Sequence, residues 1–161
     1  MPILHSQPNG QGVNKAGQVI AVPPPVLMQQ IGPCLQVAIN IEKSIADQLI
    51  QAGGRLPAPQ QGIALIDTGA SVSCIDEDAA KALTLPIVDV VTMISASHSS
   101  VPANVYPAHF QLVGTNIHIN LPRVMGANLK PQKLIALIGR DILSRCTLFY
   151  NGLTGEITLS M

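Results

Sequence analysis

An acid, a hydroxyl residue and a glycine follow one another at Asp67-Thr68-Gly69, directly after the apolar run Ile63-Ala64-Leu65-Ile66. A carboxylate carried to the end of a buried strand can draw a proton from water, provided a second acid polarises the group under attack. The same three residues also make an ordinary turn, with Asp67 accepting hydrogen bonds from nearby amides. Taken alone, they fit both readings. Further along, a second apolar run ends in glycine at Leu137-Ile138-Gly139 and leads into Arg140-Asp141-Ile142-Leu143. This echo between ALIDTG and ALIG is the chain's main internal similarity, and no fixed-period repeat accompanies it.

Other chemistries lack their patterns. Ser, His and Asp occur, but no GxSxG elbow carries a serine nucleophile. His5, His98, His109 and His118 show neither HExxH nor a dense carboxylate pattern, so no metal site is expected. His109 and His118 flank the turn at Gly114, which is ordinary hairpin composition. GxGxxG, P-loop and calcium-loop motifs are absent, and no cofactor is implied. Cys34, Cys74 and Cys146 form no CxxC pair, so they read as buried free thiols rather than a disulfide framework or a thiolate zinc site.

Nine basic and nine acidic residues balance to zero, and no Lys/Arg run offers the stripe that nucleic acid requires. Such low charge leaves little repulsion between copies, so self-association is compatible with the composition. The N-terminal stretch lacks a basic-then-apolar leader and no later stretch reaches membrane-spanning length, so neither a membrane partner nor export is expected and the expected compartment is cytoplasmic.

Periodicity sets out the strands and helices expected to carry the acid. Apolar residues at 47% against 11% charged place the chain on the folded side of the composition boundary, with room for one domain. Residues 1–33, rich in Pro, Gly and Asn, read as an extended or flexible N-terminal arm, with PPP at 23–25 favouring polyproline geometry over a packed helix. The domain proper is expected over 34–161. CLQVAINI at 34–41 is the first strand, and 42–51 reads as a short helix with Ile45, Leu49 and Ile50 on one face, stopped by the Gly/Pro-rich stretch at 53–62. Residues 63–66 form a compact strand. IDEDAAKAL reads as a helix with Asp76, Glu77 and Asp78 near its N-terminus, ended by Pro86. Then come VDVVTMISA, a polar SHSSVPAN segment, YPAHFQLV, a GTN turn and IHINLPRVM, which read as antiparallel strands with hairpin loops. LIALIG at 134–139 is a strand, RDILSR a short helix, and CTLFYN and EITLSM a terminal hairpin about GLTG.

ALIDTGAS followed by LIGRDIL, in this order and separation, resembles the retroviral-type (retropepsin-like) aspartic peptidase family with its cellular dimeric relatives. The resemblance runs from about Leu35 to the C-terminus. It implies an all-β closed barrel of the acid-protease fold with a short helix near the C-terminus, and an endopeptidase acting on a peptide or protein substrate. Because no second DTG or DSG occurs, it also implies a two-fold homodimer in which Asp67 and its symmetry copy form the dyad. Such paired carboxylates titrate apart, for which this enzyme class is the standard worked case. By the resemblance, Thr68 bonds across the axis, Gly69 permits close approach, and Ala70 and Ser71 floor the substrate cleft. A flap over residues 94–106 would bring Ser97, His98 and Ser99 to substrate, although a solvent-facing histidine fits His98 equally.

Departures from the family pattern accompany these matches. Viral members often carry an acid at the position of Ser71 that pairs with the arginine matching Arg140. Here Arg140 needs another partner, Asp76, Asp78 or solvent, while Gly139 allows close packing behind the Asp67 loop and Asp141 caps the following helix. The flap has no glycine between Leu85 and Gly114 and contains Pro102. These departures keep open a second reading, an inactive peptide-binding or dimerisation domain that retains the acid loop for structure.

Overall fold

The computed structural model describes residues 2–95 and 98–161. In chain order these form β1 (Ile3–Ser6), β2 (Gln11–Val13), β3 (Val19–Ala21), α1 (Pro24–Ile31), β4 (Cys34–Ile41), α2 (Lys43–Gln51), β5 (Gln60–Ile66), β6 (Cys74–Asp76) and α3 (Glu77–Ala82). There follow β7 (Asp89–Ser95), β8 (His98–Leu112), β9 (His118–Ala127), a 3₁₀ turn (Lys130–Gln132), β10 (Ala136–Ile138), α4 (Arg140–Leu143), β11 (Thr147–Asn151) and β12 (Glu156–Ser160).

Six strands close on themselves in the order β4-β5-β10-β6-β9-β8, because β8 pairs back onto β4, and β7 extends outside the ring on β8 alone. Closure removes the exposed edges that an open sheet would present. This is the all-β closed barrel of the acid-protease fold expected from the motifs, with α4 as its short C-terminal-region helix. The two echoing runs lie side by side, parallel and in register, as Ala64↔Ala136, Leu65↔Leu137 and Ile66↔Ile138. Alternation of strand side chains then sends Ala64, Ile66, Ala136 and Ile138 into the core, where Val37, Phe110, Leu112 and Ile142 also pack.

The helix expected after the first strand is α2. Glu42 caps it, accepting from Ser44 N and Ile45 N, and of the three expected apolar positions Ile45 and Leu49 are half-buried while Ile50 is exposed. Asp76 caps α3 through Asp78 N, as its position before the alanines suggests.

Two expectations need correction. PPP does not form an isolated polyproline stretch: Pro24 and Pro25 occupy the first turn of α1, where proline's missing N–H has no intrahelical partner to lose. The helix places Met28 in the core at 1% exposure, a burial that stabilises on the order of 1.5–3 kcal/mol. Gly155, at φ +70°, receives the start of this helix; a Cβ there would lie 2.4 Å from the Pro24 carbonyl carbon. Second, SHSSVPAN does not separate two strands, because β8 runs unbroken from His98 through Tyr106 to Leu112. Pro102 sits where β8 has only β7 beside it, and Pro107 falls at the register shift between Tyr106 and Ala108, so each proline meets an incomplete ladder. Before β4, β1 pairs with β12 and β2 pairs with β3.

Among the described residues no helix is long and apolar enough to cross a membrane.

Candidate active site

β5 delivers Asp67 to the rim of the barrel. Its amide continues the parallel ladder by donating to Ile138 O at 2.9 Å. The chain then reverses in an Asx turn: Asp67 Oδ1 accepts from Gly69 N at 2.9 Å and Ala70 N at 3.2 Å. That leaves Oδ2 without a hydrogen bond among the described residues. Asp67 and Ala70 are half-buried, while Thr68, Gly69 and Ser71 are exposed. A Cβ at Gly69 would stand 3.1 Å from Asp67 Oδ1, so glycine keeps the carboxylate in this pose.

The second motif braces this turn from behind. Arg140 Nη1 donates to Thr68 O at 2.8 Å and Gly69 O at 2.9 Å, and Arg140 N donates to Ala70 O at 3.0 Å. Neither Asp76 nor Asp78 is its partner. Asp76 accepts from Asp78 N and Leu129 N, and Asp78 pairs with Lys130 at 3.0 Å. Backbone carbonyls therefore receive the guanidinium, and the neutral Ser71 is consistent with that, since no acid is needed to hold it. Gly139 lies against the chain after the turn, where a Cβ would come within 2.7 Å of Val72 C and 2.8 Å of Val72 O.

Ser73 and Asp141 complete the brace and were not singled out as a pair by the sequence. Ser73 is fully buried; its hydroxyl donates to Asp141 Oδ1 at 2.7 Å and accepts from Gly139 N at 2.9 Å. Asp141 also accepts from Ser73 N and from Ile142 N, which ties α4 to the segment after the acid; the expected helix cap is not formed, because Gly139 holds the N-cap position and no side chain caps α4. A serine six residues beyond an aspartate carries no local signal. Only the parallel pairing of β5 with β10 brings the two segments together.

Cys74 follows in β6 beside these acids. Burial first, then the charges of Asp141 and Asp67, push its thiol up to about 11, so it stays protonated and is not a nucleophile near neutral pH. Burial likewise raises Cys34 and Cys146.

Beside the turn opens a cleft of about 440 Å³, lined by Ser71 and Val72, by Val91 and Met93 of β7, and by Arg123 and Met125 of β9. Arg123 holds Asp89 at 2.6 Å, which lowers the Asp89 carboxyl through that hydrogen bond first. Apolar walls with a few polar groups are the lining of a groove that could take an extended chain. The hairpin expected over 94–106 falls on the last residues of β7 and the first part of β8; Ser97 lies outside the described residues, and His98 and Ser99 begin β8. Among the described residues no cluster of three or more His, Cys, Asp or Glu is arranged to hold a metal ion.

No family model and no curated protein matches the chain. Among solved structures it is similar to the EIAV protease complexed with the inhibitor HBY-793, at 21% identity and TM-score 0.44, over 70% of this chain and 86% of that one. It is also similar to a retropepsin-like aspartic protease from Rickettsia conorii, at 12% identity and TM-score 0.45, over 98% and 92%. The retroviral protease-like domain of Ddi1 from Leishmania major aligns at 14% identity and TM-score 0.38, over 73% and 80%.

Proposed function

We propose that this chain is an aspartic endopeptidase that works as a two-fold homodimer, with Asp67 from each copy forming one catalytic dyad. One carboxylate takes a proton from water as the other, protonated, polarises the scissile carbonyl. The observation that carries this reading is Asp67 itself. Its Oδ1 is engaged by the amides of its own turn, its Oδ2 is free among the described residues, and the turn is exposed while being rigidly braced from below. Thr68 would bond across the axis, Gly69 would allow the two turns to approach, and Ala70 and Ser71 would floor the cleft. The flap residues Ser97, His98 and Ser99 would contact substrate. On this reading the catalytic unit runs over 34–161, with 1–33 as an appended segment, and the reaction needs no cofactor.

The second reading, a peptide-binding or dimerisation domain without activity, is favoured by one observation: the Asx turn gives Asp67 a structural role that requires no chemistry. Digestion of a peptide library across pH, comparing the wild type with Asp67→Asn, separates the two. The peptidase reading expects the substitution to remove cleavage by at least roughly 100-fold, the lower range for a general acid–base group, with the fold retained. Equal cleavage by both proteins would sink the mechanism, and a folded, dimeric wild type without cleavage at any pH would establish the binding reading.

A further inference from the structure

We propose that His109 and His118 form a two-imidazole site for a borderline divalent transition-metal ion, on the outer face of the barrel and separate from the Asp67 turn. The register of β8 and β9 sets His109 opposite Asn120 and Gln111 opposite His118, so the two histidines are diagonal neighbours on one face. His118 is exposed and His109 half-exposed. Their rings stack with centroids 5.3 Å apart and planes at 29°, and His109 Nε2 stands 3.1 Å from His118 Nδ1. An ion bonded to two imidazole nitrogens at roughly 2.0–2.1 Å, with an angle of about 90–110°, separates them by roughly 2.8–3.4 Å. The observed spacing falls inside that window, and the broad χ2 well of histidine lets both lone pairs turn toward a common point.

The neighbouring network selects the tautomer such a site needs. Asn120 donates its amide to the carboxylate of Glu42, which accepts only, and this turns Asn120 Oδ1 toward the opposite side. That oxygen receives Lys43 N at 3.5 Å and faces His109 Nδ1 at 3.4 Å. His109 therefore carries its proton on Nδ1 and offers an unprotonated Nε2 to His118. Without metal, His118 Nδ1–H donates to that nitrogen. With metal, the His118 Nδ1 proton moves to its outward Nε2 and both facing nitrogens become ligands. Donation of the ligand's other N–H to a carbonyl, itself fixed by a carboxylate, is the outer-shell arrangement that orients metal-binding histidines. Water would fill the remaining positions. Imidazole donors favour Cu²⁺, Ni²⁺ and Zn²⁺ over Mg²⁺ and Ca²⁺, which prefer oxygen.

Calorimetric titration of the intact protein with Zn²⁺, Cu²⁺ and Mg²⁺, together with imidazole ¹⁵N spectra, tests the site. One ion per chain is expected, tighter for Cu²⁺ than Zn²⁺ and not detected for Mg²⁺, with His109 Nε2 and His118 Nδ1 as the nitrogens that move. Binding that Mg²⁺ reproduces would overturn the proposal. His118→Gln, an exposed change verified as folded by circular dichroism, should weaken binding by at least about 10-fold. Asn120→Ala should weaken it by roughly 10-fold through loss of orientation, and His5→Ala should leave it unchanged. No saturable Zn²⁺ or Cu²⁺ binding by the folded wild type, unchanged binding in His118→Gln, or metal-induced shifts confined to other nitrogens would overturn the assignment. The nitrogen shifts of the wild type decide the matter even if a variant fails to fold.

Discussion

Arg140 stabilises the Asp67 turn by donating to the carbonyls of Thr68 and Gly69 from one nitrogen. The guanidinium is exposed, so water competes for both bonds and their joint contribution is modest. Arg140→Ala should cost about 1 kcal/mol of stability, read as a lowered midpoint in urea. Its larger effect belongs to the turn: on the peptidase reading, cleavage should fall by more than the loss of folded protein accounts for. A variant that loses neither stability nor cleavage would remove Arg140 from the brace. Ser73 and Asp141 are better protected from solvent, and their bonds, together with Gly139 N, make the buried polar centre that holds the second motif against the first.

Between elements, the contact that decides the geometry is that of Gly139 with Val72 and Ser73. A methyl group at Gly139 would meet backbone atoms at 2.7 to 2.9 Å, and backbone cannot swing aside as a side chain can. Gly139→Ala should therefore destabilise by roughly 2–3 kcal/mol, in the range of forced overpacking, and a calorimetric melt showing no loss would mean that β10 and α4 can slide relative to the turn. At the other side of the barrel, Glu42 links α2 to β9. Its carboxyl is held below the ordinary glutamate value, first by the Asn120 amide and then by the Ser44 hydroxyl. The folded state thus binds this proton less readily than the unfolded chain. The stabilisation is fully present above the unfolded value and drains away as the pH falls through the lowered folded value. Glu42→Gln should flatten the acid side of a plot of melting temperature against pH and leave its neutral-to-alkaline shape unchanged.

For the whole molecule, one Asp67 per chain makes catalysis a property of assembly on the proposed reading. Activity per chain should fall on dilution as dimers separate, and sedimentation velocity should show the same midpoint. Adding excess Asp67→Asn protein should suppress wild-type cleavage by capturing active chains in mixed dimers. Activity that is independent of concentration and indifferent to the inactive partner would place the whole reaction within one chain and end the dimer proposal.

Local and periodic features were legible in the order of residues alone. The apolar run into Asp-Thr-Gly, its echo in ALIG, the strand at 34–41, the helix after Glu42 and the terminal hairpin are all set by neighbours a few residues apart, which is the range over which side-chain alternation and turn chemistry act. Which distant groups meet is set by how the chain folds back on itself. The parallel pairing of β5 with β10 brings Arg140 to the carbonyls of Thr68 and Gly69 rather than to an acid, and brings Ser73 to Asp141. Packing of Met28 seats PPP as a helix start, and the β8–β9 register turns two hairpin histidines into a pair 3.1 Å apart. The physical reason is common to all four: contacts between distant segments depend on register, closure and packing, and no local propensity encodes the partner segment.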